Sequence, residues 1–263
     1  MNFTKENKAQ VWSCGGGTQS CAIAALIVQG KLPKPDVSVI ADTGRETRMT
    51  WEYLDGVLNP ALTSVGVTVE RVKASELGYA GVELFNKSGT LLIPTFSTLS
   101  GEESKLPAFC STYWKRDVVE RWLSTSLSVN ISTACTWLGY GREEQARWAR
   151  VLVSPAHKEG RVFLPLVERF PMNRYECEML IQSMGWPIPA PRSRCWMCPN
   201  QSDREWRSLP PEEFAKAVEL EKEVQAKDPH AWLHKSCKPL SQVDFTQPDD
   251  LFSRPCDSGQ CFV

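Results

Sequence analysis

The chain of 263 residues has no apolar run long enough to cross a bilayer. Its longest, Cys21 to Val28, falls far short of the roughly 20 residues that a helical span needs. The start, Met1-Asn2-Phe3-Thr4-Lys5-Glu6-Asn7-Lys8, is polar and lacks the apolar stretch of a secretory signal. No sign of charge is in excess: 30 Lys and Arg face 31 Asp and Glu, a formal net charge of -1. That balance argues against coating nucleic acid by bulk electrostatics and leaves only a local basic groove as a nucleic-acid contact. Internal repeats and low-complexity segments are also missing. These absences lead to the expectation of a cytoplasmic protein with no membrane partner. With 42% apolar and 23% charged residues, it has the composition of one large domain, or of one domain with an appendage.

Cysteine, by contrast, is plentiful: there are ten. In a reducing compartment a disulfide framework is not expected, so metal binding, redox chemistry or burial must account for them. Cys21, Cys135 and Cys177 lie in apolar or helical patterns and read as small buried residues. Cys110, Cys195, Cys198, Cys237, Cys256 and Cys261 sit near Pro, Gly or charged residues. Within Arg194-Cys195-Trp196-Met197-Cys198-Pro199, two thiolates three residues apart, in a turn ended by Pro, can face one metal. One such pair supplies two ligands only, and four-cysteine zinc and iron–sulfur sites are not separable by pattern.

The first third of the chain alternates between strand and helix signals. A strand near 9–13 leads to a helix at 18–29 that stops at Gly30, with Pro33 beyond. Residues 37–41 read as a strand, about 48–58 as a helix ending at Asn59-Pro60, and 65–73 as a strand. This order predicts an α/β fold, an open and mainly parallel sheet with helices on both faces. Residues 76–108 read as a long loop. A helix over 117–127, strands over 130–137 and 161–167, and a helix over 174–184 capped by Asn173 and closed by Gly185 follow. Ser202-Asp203-Arg204-Glu205 matches a capping box, and Pro210-Pro211 opens a helix to about Lys227. From Asp228 onward the pattern is irregular. We expect a nucleotide-binding domain over 1–170 and a smaller helical and irregular region, bearing metal-ligand cysteines, over 171–263.

Between the first strand and the first helix stands Ser13-Cys14-Gly15-Gly16-Gly17-Thr18-Gln19-Ser20. Three glycines there either make a tight turn or let backbone N–H groups reach an anion at a helix N-terminus, with Thr18 and Ser20 adding hydroxyl donors. Neither the Walker A spacing nor G-x-G-x-x-G is present. Asp42, Thr43 and Gly44 follow the second strand, at the edge where open parallel sheets bind ligands. Asp42 could hold a ribose, a purine amine or a metal, or serve as a helix-start carboxylate.

The glycine loop leading into Gln19-Ser20, together with Asp42, Thr43, Gly44, Glu46, Tyr53 and Asp55, resembles the phosphoadenylyl-sulfate (PAPS) reductase family of the PP-loop ATP pyrophosphatase superfamily. Gln19 stands where the superfamily commonly has Asp, as it does in some sulfonucleotide reductases that do not cleave ATP. Cys110-Ser111-Thr112-Tyr113-Trp114-Lys115-Arg116 is similar to the family's "C-T-R…K…P" segment. Gly139-Tyr140-Gly141-Arg142-Glu143-Glu144-Gln145-Ala146-Arg147 is similar to its "G-x-R-x-x-E-S-x-R" stretch. By themselves, Arg142 and Arg147 would pass for solvated helix charges. The resemblance covers residues 11 to about 210 and implies an adenine nucleotide alpha hydrolase-like fold. It further implies that Ser13, Gly15 to Ser20, Asp42, Thr43, Gly44, Arg116, Arg142 and Arg147 bind ATP or PAPS, with Mg²⁺ where ATP is used.

In that family, and in related DNA phosphorothioation proteins, a cysteine of the earlier segment and a later C-x-x-C hold a [4Fe-4S] cluster. The resemblance therefore makes Cys110, Cys195 and Cys198 ligands. Cys256 is the first choice for a fourth, ahead of Cys237 and Cys261. Reductases of the family carry a C-terminal catalytic cysteine, which makes Cys261 the catalytic candidate, with Lys115 beside it for anionic charge. The expected function is PAPS-reductase-like sulfur or redox chemistry beside the cluster, served by a sulfur donor or a thiol-reductant protein. Two alternatives stand beside it: ATP-dependent thiolation of nucleic acid, and a non-catalytic nucleotide- and cluster-binding module. Zinc is the alternative metal.

Overall fold

The computed structural model describes residues 8–77, 83–99, 101, 103–187 and 192–246. Cys256 and Cys261 lie outside them. The chain divides into two compact units made of interleaved pieces. Met1–Asp42, Arg48–Gly78 and Asp117–Ser193 form the first; Thr43–Thr47, Tyr79–Arg116 and Arg194–Val263 form the second.

The first unit is an α/β layer structure. Strands β1 (Gln10–Ser13), β2 (Val37–Asp42), β3 (Val69–Lys73), β4 (Cys135–Trp137) and β5 (Val162–Phe163) make one parallel sheet in the order β3-β2-β1-β4-β5. Helices α1 (Thr18–Val28), α2 (Arg48–Tyr53), α3 (Asn59–Thr63), α4 (Asp117–Leu127), α5 (Gln145–Val153), α6 (Pro155–Lys158) and α7 (Arg174–Ser183) surround it. Strand order reverses between β1 and β4, so the loops after these two strands flank the topological switch point where such sheets bind ligands. Helix α1 is apolar on every face, which a helix can be only when it is covered all round. It packs against α3 and α7, and Cys21 to Ile27 are all buried. Trp12, Ile40, Trp137 and Phe163 share its core, with the Trp137 and Phe163 rings edge to face at 5.6 Å.

Several boundaries differ from the sequence pattern for local reasons. Strand β3 begins at Val69 rather than 65, because Val65 and Val67 donate their N–H groups to the Leu62 carbonyl and Gly66 turns with φ +76°. Strand β4 begins at Cys135 rather than 130, because the Asn130 side chain takes hydrogen bonds from the N–H and hydroxyl of Ser132. Strand β5 ends at Phe163, where Pro165 starts a wide helical turn to Arg169. Asn59-Pro60 does not stop the second helix. A wide turn at Leu54–Leu58 intervenes, and Pro60 sits in the first turn of α3, where its missing N–H costs nothing. The Asn173 capping box on α7, and Gly185 at φ +72° closing it, match expectation.

The second unit has its own core, including Trp114, Met197, Trp206, Leu220, Leu233 and Leu240. A small antiparallel sheet pairs Ser104–Lys105 with Phe96–Ser97, and that pair with Ala231–Trp232. The stretch 76–108, expected as plain loop, thus carries two short strands. Helix α8 (Asp203–Arg207) opens with the expected Ser202–Glu205 capping box, and α9 (Pro211–Gln225) follows. The buried Glu221 of α9 accepts the N–H groups of Leu233 (3.0 Å) and Leu240 (2.6 Å), pinning the irregular segment beyond it. Among the described residues, no helix is long and apolar enough to cross a membrane.

Candidate metal centre and nucleotide loop

In the first unit, the glycine loop follows β1 at the carboxyl edge of the sheet. Gly16 and Gly17 are buried; Gly15 is exposed and donates its N–H to the Ser20 hydroxyl at 2.9 Å. Gly16 has φ +68°, a left-handed conformation that side chains resist. At Gly17 a Cβ would come within 2.6 Å of the Ser193 backbone nitrogen. The chain's own Ser193 thus takes up the close approach that this glycine allows. Thr18, at the start of α1, is buried, and its hydroxyl has no hydrogen-bond partner among the described residues.

The other nucleotide candidates of this unit are engaged by protein groups. Asp42, buried at the end of β2, pairs with Arg71 at 2.8 Å, and the Arg71 guanidinium stacks 3.6 Å above the Trp51 ring. Arg142 pairs with Glu176 at 3.3 Å on the surface, and its carbonyl accepts the Trp148 indole N–H. Arg147 is held by Glu144 and lies over the Tyr140 ring. Gln19 is half-buried in the first turn of α1, where a Cβ on Gly139 would touch its Cβ at 3.6 Å.

The cysteine candidates gather in the second unit. Cys110 precedes a wide helical turn, Ser111–Arg116, and its N–H donates to the Leu92 carbonyl at 2.8 Å. Cys195 forms an antiparallel bridge with Glu46, and the Trp196 N–H donates to the Arg45 carbonyl at 2.8 Å. The turn between the paired cysteines closes with the Cys198 N–H on the Cys195 carbonyl at 3.1 Å. Glu46 is buried and accepts from the Thr43 N–H at 3.0 Å and from the Thr43 hydroxyl at 2.9 Å. The Lys115 ammonium stands 3.5 Å from the same carboxylate. Thr43, a sequence candidate for nucleotide contact, therefore serves Glu46, and its hydroxyl lies 4.0 Å from the Cys195 sulfur. Gly44 (φ +70°) and Arg116 are exposed nearby in the chain.

The thiols of Cys110, Cys195 and Cys198 sense one another. Burial, then the charge of Cys198, pushes the Cys110 thiol up to about 11. Burial and Glu46 push Cys195 up further, against the pull of Lys115. Burial would lower the Lys115 ammonium, but Glu46, Cys195 and Cys110 outweigh it and hold it charged. Neutral buried thiols become thiolates when a metal takes the proton's place. Among the described residues, no three His, Cys, Asp or Glu side chains converge closely enough for one metal ion. A tetrahedral zinc needs thiolates about 3.8 Å apart, from its ~2.3 Å Zn–S bonds. The donors that Cys110, Cys195 and Cys198 would offer are all sulfur, the chemistry of zinc and iron–sulfur sites alike.

Cys237 is half-buried at φ +48° and responds to burial and the charge of Glu103. Cys256 and Cys261 lie outside the described residues. Cys21, Cys135 and Cys177 are buried core residues as expected, and so is Cys14. Sequence reasoning placed no site role on Arg45, Glu46 or Trp114. The Arg45-Glu46 step directly after the Asp42-Thr43-Gly44 turn was the available signal.

Beside the cysteines opens a cleft of about 830 Å³. Thr43, Gly44, Arg45 and Trp196 line one side, and residues of α9, Lys216 and Glu223 among them, line the other.

The chain matches no family model and no curated protein. A solved structure, the U34-tRNA thiolase NcsA from Methanococcus maripaludis with its [4Fe-4S] cluster, shows a slight likeness. Identity is 11%, coverage 96% of this chain and 81% of the other, and the TM-score 0.45. Likeness at that level assigns neither family nor chemistry.

Proposed function

We propose that the second unit holds a [4Fe-4S] cluster on Cys110, Cys195 and Cys198, and that the chain is a sulfurtransferase thiolating nucleic acid with ATP. The observation that carries this is the gathering of three thiols around the buried Glu46–Lys115 pair, beside a cleft lined by Trp196, Arg45 and Lys216. Trp196 offers a face on which a nucleobase can stack and Lys216 a cation for its phosphate, beside the carboxylates Glu219 and Glu223. When bound, the cluster would supply a site for sulfur. Glu46 and Lys115 keep the charge around the thiolates balanced, and the buried walls on the Leu92 and Met197 side exclude water from them.

In the overall reaction, the carbonyl oxygen of the acceptor base attacks the α-phosphorus of ATP and pyrophosphate leaves. Sulfide from a donor then replaces the adenylated oxygen, and AMP leaves. The unpartnered Thr18 hydroxyl at the mouth of α1 supports a nucleotide at the glycine loop, provided Ser193 yields to it. Gln19 favours a second reading, a sulfonucleotide reductase, because a carboxylate that would assist Mg²⁺ is missing there.

Anaerobic purification with iron and sulfide counts, then ATP and PAPS binding and pyrophosphate release, tests both. Iron with ATP-dependent pyrophosphate release and sulfur incorporated into RNA or DNA supports transfer. Iron with PAPS binding and sulfite release selects the reductase. A protein that binds neither nucleotide is not an enzyme of this kind.

A further inference from the structure

Arg45 is anchored at both ends. Its N–H donates to the Thr43 hydroxyl at 3.2 Å and its carbonyl accepts from Trp196, which fixes its backbone beside Cys195. Its guanidinium lies 4.7 Å from the centre of the Trp114 ring. Trp114 is itself buried, stands four residues after Cys110, and is tied by its indole N–H to the Glu83 carbonyl at 3.1 Å. The arginine head is thus held by the turn that follows one candidate ligand, and its backbone by the segment carrying the next.

One atom of that head is unexplained. Nη1 is buried and has no hydrogen-bond partner among the described residues, the described thiols included. Leaving a buried guanidinium N–H without an acceptor is costly, so this N–H is placed to receive an acceptor that arrives later.

We propose that Arg45 is a positioning and charge-compensating residue of the metal centre, its unpartnered guanidinium N–H serving sulfur that the bound cluster brings within reach. The proposal rests on the cluster reading above. A cation with an N–H directed at cluster sulfur stabilises the more negative, reduced state and raises the reduction potential. Arginine suits the place better than lysine, because its flat head stacks on Trp114 while still directing a donor inward.

The test compares full-length wild type, R45K and R45M, purified anaerobically, by iron and acid-labile sulfide content and by redox titration. The expected result is iron content equal to wild type in both variants, with the midpoint potential shifted negative, further in R45M than in R45K. Unchanged potentials in both overturn the proposal, and so does reduced iron content with an unchanged potential, which would mark a merely structural arginine. Should R45M take up no iron, R45K decides alone: a negative shift supports the proposal and an unchanged potential overturns it. A wild type without iron removes the cluster reading and this inference together, and that failure shows before any variant is made.

Discussion

Replacing Gly16 with alanine should destabilise the first unit by about 1–4.5 kcal/mol, and the structure gives the figure in parts. The residue has φ +68°, and a side chain in that left-handed region costs about 1–2 kcal/mol. The new Cβ would stand 2.8 Å from the Thr50 methyl and 3.1 Å from Ile40 Cδ1. Thr50 and Ile40 are 1% and 3% exposed, so neither can swing into solvent, and overpacking of this kind costs about 1–3 kcal/mol. The lower unfolded-chain entropy of alanine returns about 0.4–1 kcal/mol. Gly15→Ala is the matched control. There the Cβ would meet the Ser193 hydroxyl at 3.3 Å, the movable end of a side chain, and a cost under about 1 kcal/mol is expected. Urea unfolding followed by tryptophan fluorescence measures both, and a shifted midpoint at constant slope identifies a stability change. If the two variants lose equal stability, or Gly16→Ala loses less than its control, the loop is not the left-handed, closely packed turn described.

Three further outcomes can be checked. Cys198→Ser, purified anaerobically, should lose most of its iron while Cys177→Ser keeps it, because only the former belongs to the gathered thiols; equal iron in both would show the ligands wrongly chosen. Glu221→Ala should cost about 2–5 kcal/mol in urea unfolding, since the N–H groups of Leu233 and Leu240 both lose their acceptor, and Glu221→Gln, which keeps one acceptor oxygen, should cost less. His234 is buried with Nδ1 accepting the Ser236 N–H at 3.2 Å and Nε2 at 3.1 Å from Asp203, and burial holds its pKa below 6.5 despite Asp203, with Lys235 acting in the same direction as burial. The unfolded chain therefore takes up this proton first, so stability is fully present above pH 6.5 and falls below it, by at most about 1.4 kcal/mol per pH unit. For Asp203, burial acts upward, but the hydrogen bond from His234 and the charge of Lys235 bring it below 3.8, so its contribution is lost only at lower pH. His234→Gln should flatten the slope between pH 6.5 and 5 measured by urea unfolding; an unchanged slope would refute the assignment.

How far the sequence revealed the molecule depended on range. Strands β1 and β2 and helix α1 were legible because their burial follows from residues next to one another in the chain. The caps of α7 and α8 were legible for the same reason, each lying within a four-residue pattern. The ends of β3, β4 and β5 were not, since single groups such as the Asn130 side chain and Pro165 override alternation that favours a strand. Cys195 and Cys198 stood out by their spacing and Cys110 by the family resemblance, and the three thiols lie near enough to influence one another. What no local pattern carried is the pairing of Glu46 with Cys195, residues separated by most of the chain. Nor could it show that Ser193 lies against Gly17, which gives that glycine a packing role apart from any ligand. The interleaving of the two units was equally hidden, because periodicity reports an element's exposure and not its membership.

That interleaving has a consequence for biosynthesis. Thr43–Thr47 belongs to the second unit, yet both of its flanks, through Asp42 and from Arg48, belong to the first. The strand partner of Glu46 is Cys195, so at ribosomal rates of about 5–20 residues per second this short loop waits roughly seven to thirty seconds for its mate to emerge. Throughout that interval a glutamate destined for burial and a half-buried arginine remain wet. If the proposed cluster forms, iron delivered early to the nascent chain would meet Cys110 without the later pair, and all three thiols are together only once Cys198 has emerged.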